Sequence, residues 1–152
     1  MKYIFFDFEG MQSWMEICDD GYALRQVTTI EGETLVSCRD NVLAEGTVDA
    51  LENCELITKI YFEEVWTHST EALRQMWNKE KEKYTVGQSV LGAIKYFYPQ
   101  GAIIDIGSMQ GCCDIGSDKS IQFFGQKISG TIYGFDNQNM WILLNNCKLE
   151  EQ

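Results

Sequence analysis

The sequence contains one histidine, His68, and one proline, Pro99. It has no Cys-x-x-Cys pair, no excess of basic residues and no phosphate-binding Gly-Lys-Ser or Gly-Lys-Thr. Its apolar runs all fall short of the ~20 residues that a helix needs to cross a bilayer. Each absence removes a class of function. A zinc site draws on several thiolates or imidazoles at set spacings, and those spacings are missing, so no metal and no cofactor are expected. The glycines around Gly107 and Gly111 do not make a phosphate loop. Asp19-Asp20-Gly21 lacks the spaced ligands and terminal Glu of a calcium loop and reads as a turn. Catalysis needs a nucleophile, base or metal with a positioned partner. His68 has only helical neighbours. Asp7 and Glu9 fall on one strand face, opposite Ile4, Phe6 and Phe8, as a solvated edge would. No enzymatic activity is expected.

The charge balance carries a second exclusion. The chain has a net charge of −11. Residues 1–84 hold 8 Lys and Arg against 17 Asp and Glu, and residues 85–147 hold three Lys against four Asp. Phosphate contacts supply most of a nucleic-acid binder's affinity, and neither segment offers the basic footprint they require. An acidic segment repels polyanions and attracts basic proteins.

What is present suits a folded protein. Hydrophobic residues make up 45% of the 152 positions, enough to bury a core in one medium domain or two small ones. Eight Phe, seven Tyr and four Trp, with 13 Gly, point to a strand-rich chain. The six cysteines read as reduced, buried, small apolar side chains, which fits a reducing compartment. Cys112 and Cys113 are adjacent and on a strand would face opposite ways. The start, Met1 to Glu9, is too short and acidic for a signal peptide and reads as a strand, so a cytoplasmic location without membrane contact is expected.

Strand patterns occupy the first 60 residues: Tyr3 to Phe8, Trp14 to Cys18, Tyr22 to Ile30 and Thr34 to Cys38. Weaker patterns follow at Leu43 to Val48 and Leu56 to Ile60. Asp19-Asp20-Gly21 and Glu31-Gly32-Glu33 supply turns. The period then changes. Phe62, Val65, Trp66, Ser69, Leu73, Met76, Trp77 and Tyr84 recur at helical spacing, which predicts one long amphipathic helix from about Lys59 to Lys83, with Thr58 as N-cap. Its apolar stripe is expected to pack on the N-terminal sheet. Five further strand patterns follow: Ser89 to Phe97, Ala102 to Ile106, Gly111 to Ile115, Gln126 to Phe135 and Trp141 to Asn145. Glycines at their bends fit a small closed barrel. The fold class is α+β: an acidic α+β domain over 1–83, an OB-type β-barrel over 84–148 and a tail over 149–152.

Val86 to Ile94 resembles the opening strand of the RNA-binding repeat first described in ribosomal protein S-one. Pro99 to Gly107 resembles its second strand and Gly111 to Ile115 its third. Phe124 to Ile128 with Gly130 to Ile132 resembles the fourth, and Asp136 to Leu144 the fifth. The resemblance covers about 60 residues and implies a five-stranded OB barrel. The family's binding residues do not carry over. Gln100 and Ile103 stand where two stacking aromatics are usual, and Asp114 stands in place of a His. Met140 and Trp141 replace basic residues. Base stacking is worth ~1–3 kcal/mol per base, so RNA affinity should be largely lost. The N-terminal half, through Trp14 to Ile17, Gly21 to Val27, Ile57 to Lys59 and Phe62 to Trp66, resembles small uncharacterised bacterial proteins. Some of these are encoded near polymorphic toxins, which implies an immunity or partner-binding role.

Two functional readings follow. In the first, the chain is a non-catalytic protein-binding module, an immunity or antitoxin-like inhibitor of a basic toxin, acting through Asp19, Asp20, Arg25, Glu31, Glu33, Glu63 and Glu64. Arg25, a lone strand cation, is expected to pair with Glu16 or Asp7. In the second, the barrel binds RNA on a replacement platform of Tyr96, Phe97 and Tyr98. Trp66, Trp77 and Trp141 are expected in the core.

Overall fold

The structure, a computed structural model, describes residues 1–48, 54–115 and 124–150. The chain divides into two compact units, Met1–Ala72 and Leu73–Gln152. The division falls inside the segment that the helical pattern assigns to the first unit.

The first unit is built from β1 (Lys2–Phe8), β2 (Met11–Ile17), β3 (Ala23–Ile30), β4 (Glu33–Val36), β5 (Cys54–Ile57) and α1 (Lys59–Ser69). The strands form one antiparallel sheet in the order β4-β3-β2-β1-β5. Alternation along the strands gives the sheet two different faces. On one face Tyr3, Glu16 and Arg25 form a row across β1, β2 and β3. There α1 sets down its buried Phe62 and Trp66, with Phe62 5.3 Å from the Tyr3 ring. On the other face Ile4, Met15 and Ile17 form a buried cluster, against which Phe6, Ala44, Val48 and Cys54 pack.

Two of the weaker strand expectations change. Leu43 to Val48 is not a strand and makes only an isolated bridge, Thr47 to Tyr22. Side chains hold this segment instead. The Gln26 amide oxygen accepts from the Ala44 N–H at 2.9 Å, and its nitrogen donates to the Thr28 hydroxyl at 2.9 Å. Leu56 to Ile60 is strand only as far as Ile57, because Thr58 accepts a hydrogen bond from the Tyr61 N–H and opens α1.

The single long helix is also corrected. The structure has two short helices, α1 and α2 (Glu71–Glu80), followed by a 3-10 turn, Lys81–Lys83. The break is at Thr70, whose φ of −110° and ψ of 9° leave the helical region. Its hydroxyl donates to the Trp66 carbonyl at 2.8 Å, and its N–H bonds the same oxygen at 3.0 Å. A buried threonine that bonds back to the preceding turn competes with helix continuation. The apolar stripe is divided accordingly. Phe62 and Trp66 belong to the first unit, whereas Trp77 packs edge-on against Phe135 of the second, 6.1 Å between centroids, and Met76 is exposed.

In the second unit, β6 (Ser89–Tyr98), β7 (Gly101–Asp105), β8 (Gln110–Cys113), β9 (Lys127–Asp136) and β10 (Trp141–Leu149) close into a barrel. All five barrel strands expected from the sequence form, within a few residues of their expected ends. β6 pairs with β7 and β9, β7 with β8, and β8 with β10. The β8–β10 pair is parallel and the others are antiparallel. A closed five-stranded barrel of this order is compatible with an OB-type fold. Its interior holds Val90, Ile94, Ile104, Cys113, Ile128, Ile132, Ile142 and Leu144, all buried. Gly92 lets the strands close, since a Cβ there would lie 2.7 Å from the Asp105 carbonyl oxygen. Asn137, in the β9–β10 turn, anchors α2. Its backbone oxygen accepts from Arg74 at 2.8 Å, and its side-chain oxygen accepts from the Trp77 indole at 2.9 Å and from Lys81 at 3.2 Å.

Candidate functional site

Arg25 is the most heavily engaged polar residue of the first unit. It is 1% exposed. Its Nε donates to Glu16 Oε1 at 2.9 Å and its Nη2 to Glu16 Oε2 at 2.8 Å, a bidentate pair fixed by the Glu16–Arg25 register of β2 and β3. Nη1 donates to Glu63 Oε2 of α1 at 3.1 Å, and Nη2 bonds Glu63 Oε1. The guanidinium carbon lies 5.0 Å from the Phe62 ring centroid and 5.2 Å from that of Trp66. Tyr3 donates its hydroxyl to Glu16 Oε2 at 3.0 Å. Burial alone would raise the Glu16 carboxyl, but the Arg25 hydrogen bonds and charge, with the Tyr3 hydroxyl, outweigh it and hold the group below its ordinary range. Burial, with the Glu16 hydrogen bond and charge, pushes Tyr3 up to about 12.

This arrangement locks α1 to the sheet. Of the two sequence-named partners for Arg25, Glu16 is found; Asp7 instead accepts from Gln12, and Glu63 completes the cluster. Arg25 is therefore enclosed, whereas the Glu63 side chain that pairs with it stays 31% exposed.

The remaining acidic candidates separate by position. Asp19 pairs with the N-terminal amine and stays open to solvent, and Asp20 beside it is exposed. Glu64 is exposed on α1. Glu31 and Glu33 lie at the β3–β4 hairpin, which shares one end of the sheet with the β1–β2 hairpin. The two hairpins have the same build. Glu9 and Gly10 have φ of 49° and 83°, and Glu31 and Gly32 have φ of 52° and 80°. Positive φ at both central residues is the type I′ turn, whose twist matches the flanking strands. Its first position favours Asn, Asp or Gly, and a glutamate there is strained. Below the turns Phe8 pairs with Met11, and Ile30 with Glu33. Phe8 is 58% exposed and Ile30 40%. This end of the sheet thus carries exposed apolar side chains flanked by Asp7, Glu9, Glu31 and Glu33. Sequence reasoning found Glu31 and Glu33 but missed Glu9 and Phe8; the Glu-Gly dipeptide shared by both turns was the available signal.

The barrel's candidates lie differently. Tyr96 and Tyr98 are 4% and 8% exposed, with ring centroids 4.8 Å apart, and Tyr98 packs 6.1 Å from Trp141. A shift in register after Ile94 places Tyr96 beside Ile103, on the face of β7 and β8 that also holds Cys112. On that face Tyr96, Ile103 and Cys112 are buried, and the Tyr96 hydroxyl donates to Gln110 Oε1 at 3.3 Å. Phe97 is half-buried against Phe124, 5.8 Å between centroids. A base stacks on a free ring face, and neither tyrosine has one. Trp66, Trp77 and Trp141 are all core residues, as expected. His68 is exposed at the end of α1. Among the described residues no helix is long and apolar enough to cross a membrane.

The fold is thus that of an α+β protein with an antiparallel sheet in one unit and a closed five-stranded barrel in the other. Compared with known proteins, the chain matches no family model and no curated sequence.

Proposed function

We propose that this protein is a non-catalytic binding module that captures a basic protein partner on the hairpin end of its first unit. The observation that carries the reading is the pair of adjacent type I′ turns. Each puts a glutamate, Glu9 or Glu31, where the backbone favours Asn or Gly. Strain of this kind clusters at functional sites. The exposed Phe8 and Ile30 supply the apolar anchor such an interface needs, and the carboxylates supply a rim that steers a basic partner. Met1–Ala72 holds four basic residues against fifteen acidic ones, whereas Leu73–Gln152 holds eight of each, so the steering field originates in the first unit. Asp19, Asp20 and Glu64 add to that field. An inhibitor of a basic toxin, the role implied by the N-terminal resemblance, uses this physics. The barrel's resemblance to the S-one repeat is read as a likeness of scaffold without its RNA-reading residues.

Affinity capture from native lysate with wild type and a Glu9→Lys, Glu31→Lys, Glu33→Lys variant tests the reading. A basic protein should be captured by the wild type and lost from the variant, and its association rate should fall steeply as salt rises. Identical capture by both would defeat the proposal. Submicromolar binding of single-stranded RNA at about 0.15 M salt would favour the RNA reading instead.

A further inference from the structure

Cys113 ends β8 and faces the barrel interior, where it is fully buried opposite Leu144 of β10. Past Leu144, β10 is irregular. Its pairing with β9 shifts between Asn145 and Lys148, and Asn146 is left-handed, with φ of 51°. The detour turns the Cys147 side chain back toward the barrel wall. Its Sγ lies 3.7 Å from the Leu144 carbonyl oxygen. Gly130 of β9 leaves it room, since a Cβ there would be 3.0 Å from both the Cys147 sulfur and the Leu144 Cβ. Both cysteines thus adjoin Leu144, Cys113 through the β8–β10 pairing and Cys147 through the Leu144 carbonyl. Cys147 is half-buried, whereas Cys113 is buried completely.

We propose that Cys147 and Cys113 are a dithiol–disulfide pair, oxidised by a small disulfide such as glutathione disulfide, that covalently joins the third and fifth strands of the barrel. The asymmetry of the site assigns the order of steps. The neighbouring Cys113 thiol holds Cys147 below the ordinary thiol range, and Cys147, with burial, raises Cys113. A thiolate that solvent can reach is the attacking group. Cys147 attacks one sulfur of glutathione disulfide, the glutathione S–S bond breaks, and one glutathione thiolate leaves and takes up a proton. Cys113 then gives up its proton and attacks the Cys147 sulfur, releasing the second glutathione. Two protein thiols are oxidised and one glutathione disulfide is reduced to two glutathiones. The second step is intramolecular, so the burial of Cys113 does not prevent it.

The test is to equilibrate the full chain with glutathione and glutathione disulfide, alkylate the remaining thiols and map the peptides by mass spectrometry. Wild type should lose two hydrogens and yield one cross-linked peptide pair joining Cys113 to Cys147. Cys147 should react at least tenfold faster than Cys18 or Cys54, both of which are also partly exposed. A Cys113→Ala variant should stop at a glutathione adduct on Cys147, and a Cys147→Ser variant should leave Cys113 unmodified. The wild-type measurement stands even if a variant fails to fold. A stable glutathione adduct on wild-type Cys147, a cross-link to Cys112 instead, or faster reaction at Cys18 or Cys54 would overturn the proposal.

Discussion

Arg25 gathers two carboxylates and two aromatic rings around one buried guanidinium, and its removal would leave Glu16 charged and enclosed at 6% exposure. Breaking a buried pair from one side costs about 3–5 kcal/mol, whereas exchanging both members for apolar residues is far milder. Arg25→Met should therefore lower the urea-unfolding free energy by about that amount. The Arg25→Met, Glu16→Met double variant should recover a large part of it. The same cluster sets an acid limit. Glu16 has a folded-state pKa below its ordinary value of 4.5, so its stabilisation is complete above that pH and is lost as pH falls through the lower, folded value. Unfolding free energies measured from pH 7 down to pH 3 should drop steeply below about pH 4.5 in the wild type and more gently in Glu16→Gln.

Local chemistry decides the elements where side chains bond the backbone. Thr58 starts α1 and Thr70 ends it, each through its hydroxyl. Hydrophobic period reads straight through such a break, because Phe62, Trp66 and Trp77 keep helical spacing while serving two different cores. The β1–β2 and β3–β4 turns show the opposite, an element formed despite its residues. Asn tolerates the left-handed region better than Glu, so Glu31→Asn should raise stability by a few tenths to about 1 kcal/mol in denaturant titrations. If the hairpin end binds a partner, the same substitution should weaken capture. Stability gained together with binding lost is the trade-off expected at a strained functional position.

For the whole molecule the uneven charge is the main consequence. The first unit carries the entire net charge of −11, since the second is balanced at eight against eight. Self-repulsion destabilises a compact unit, and salt screens it within about 3 Å at 1 M against about 10 Å at 0.1 M. Amide exchange followed segment by segment should slow in the first unit as sodium chloride rises, and change little in the barrel strands. Equal response in both units would show that the charge is already neutralised where it sits.

The sequence by itself determined the first four strands of the sheet, the Thr58 cap, the five barrel strands and the three core tryptophans. These depend on period, turn chemistry and residue type, all of which are local. The Glu16–Arg25–Glu63 cluster needed the tertiary structure, because it joins residues 38 positions apart through sheet register and helix placement. So did the burial of Tyr96 and Tyr98, which in sequence look like any aromatic strand. The Thr70 break divided one apolar stripe between two cores, and only long-range packing decides which core each residue joins. The gathering of Cys113 and Cys147 around Leu144 follows from the parallel pairing of β8 and β10 and the irregular end of β10, neither of which has a signature in composition or spacing. Long-range pairing is a property of the closed chain, and that is why it stayed out of reach of residue patterns.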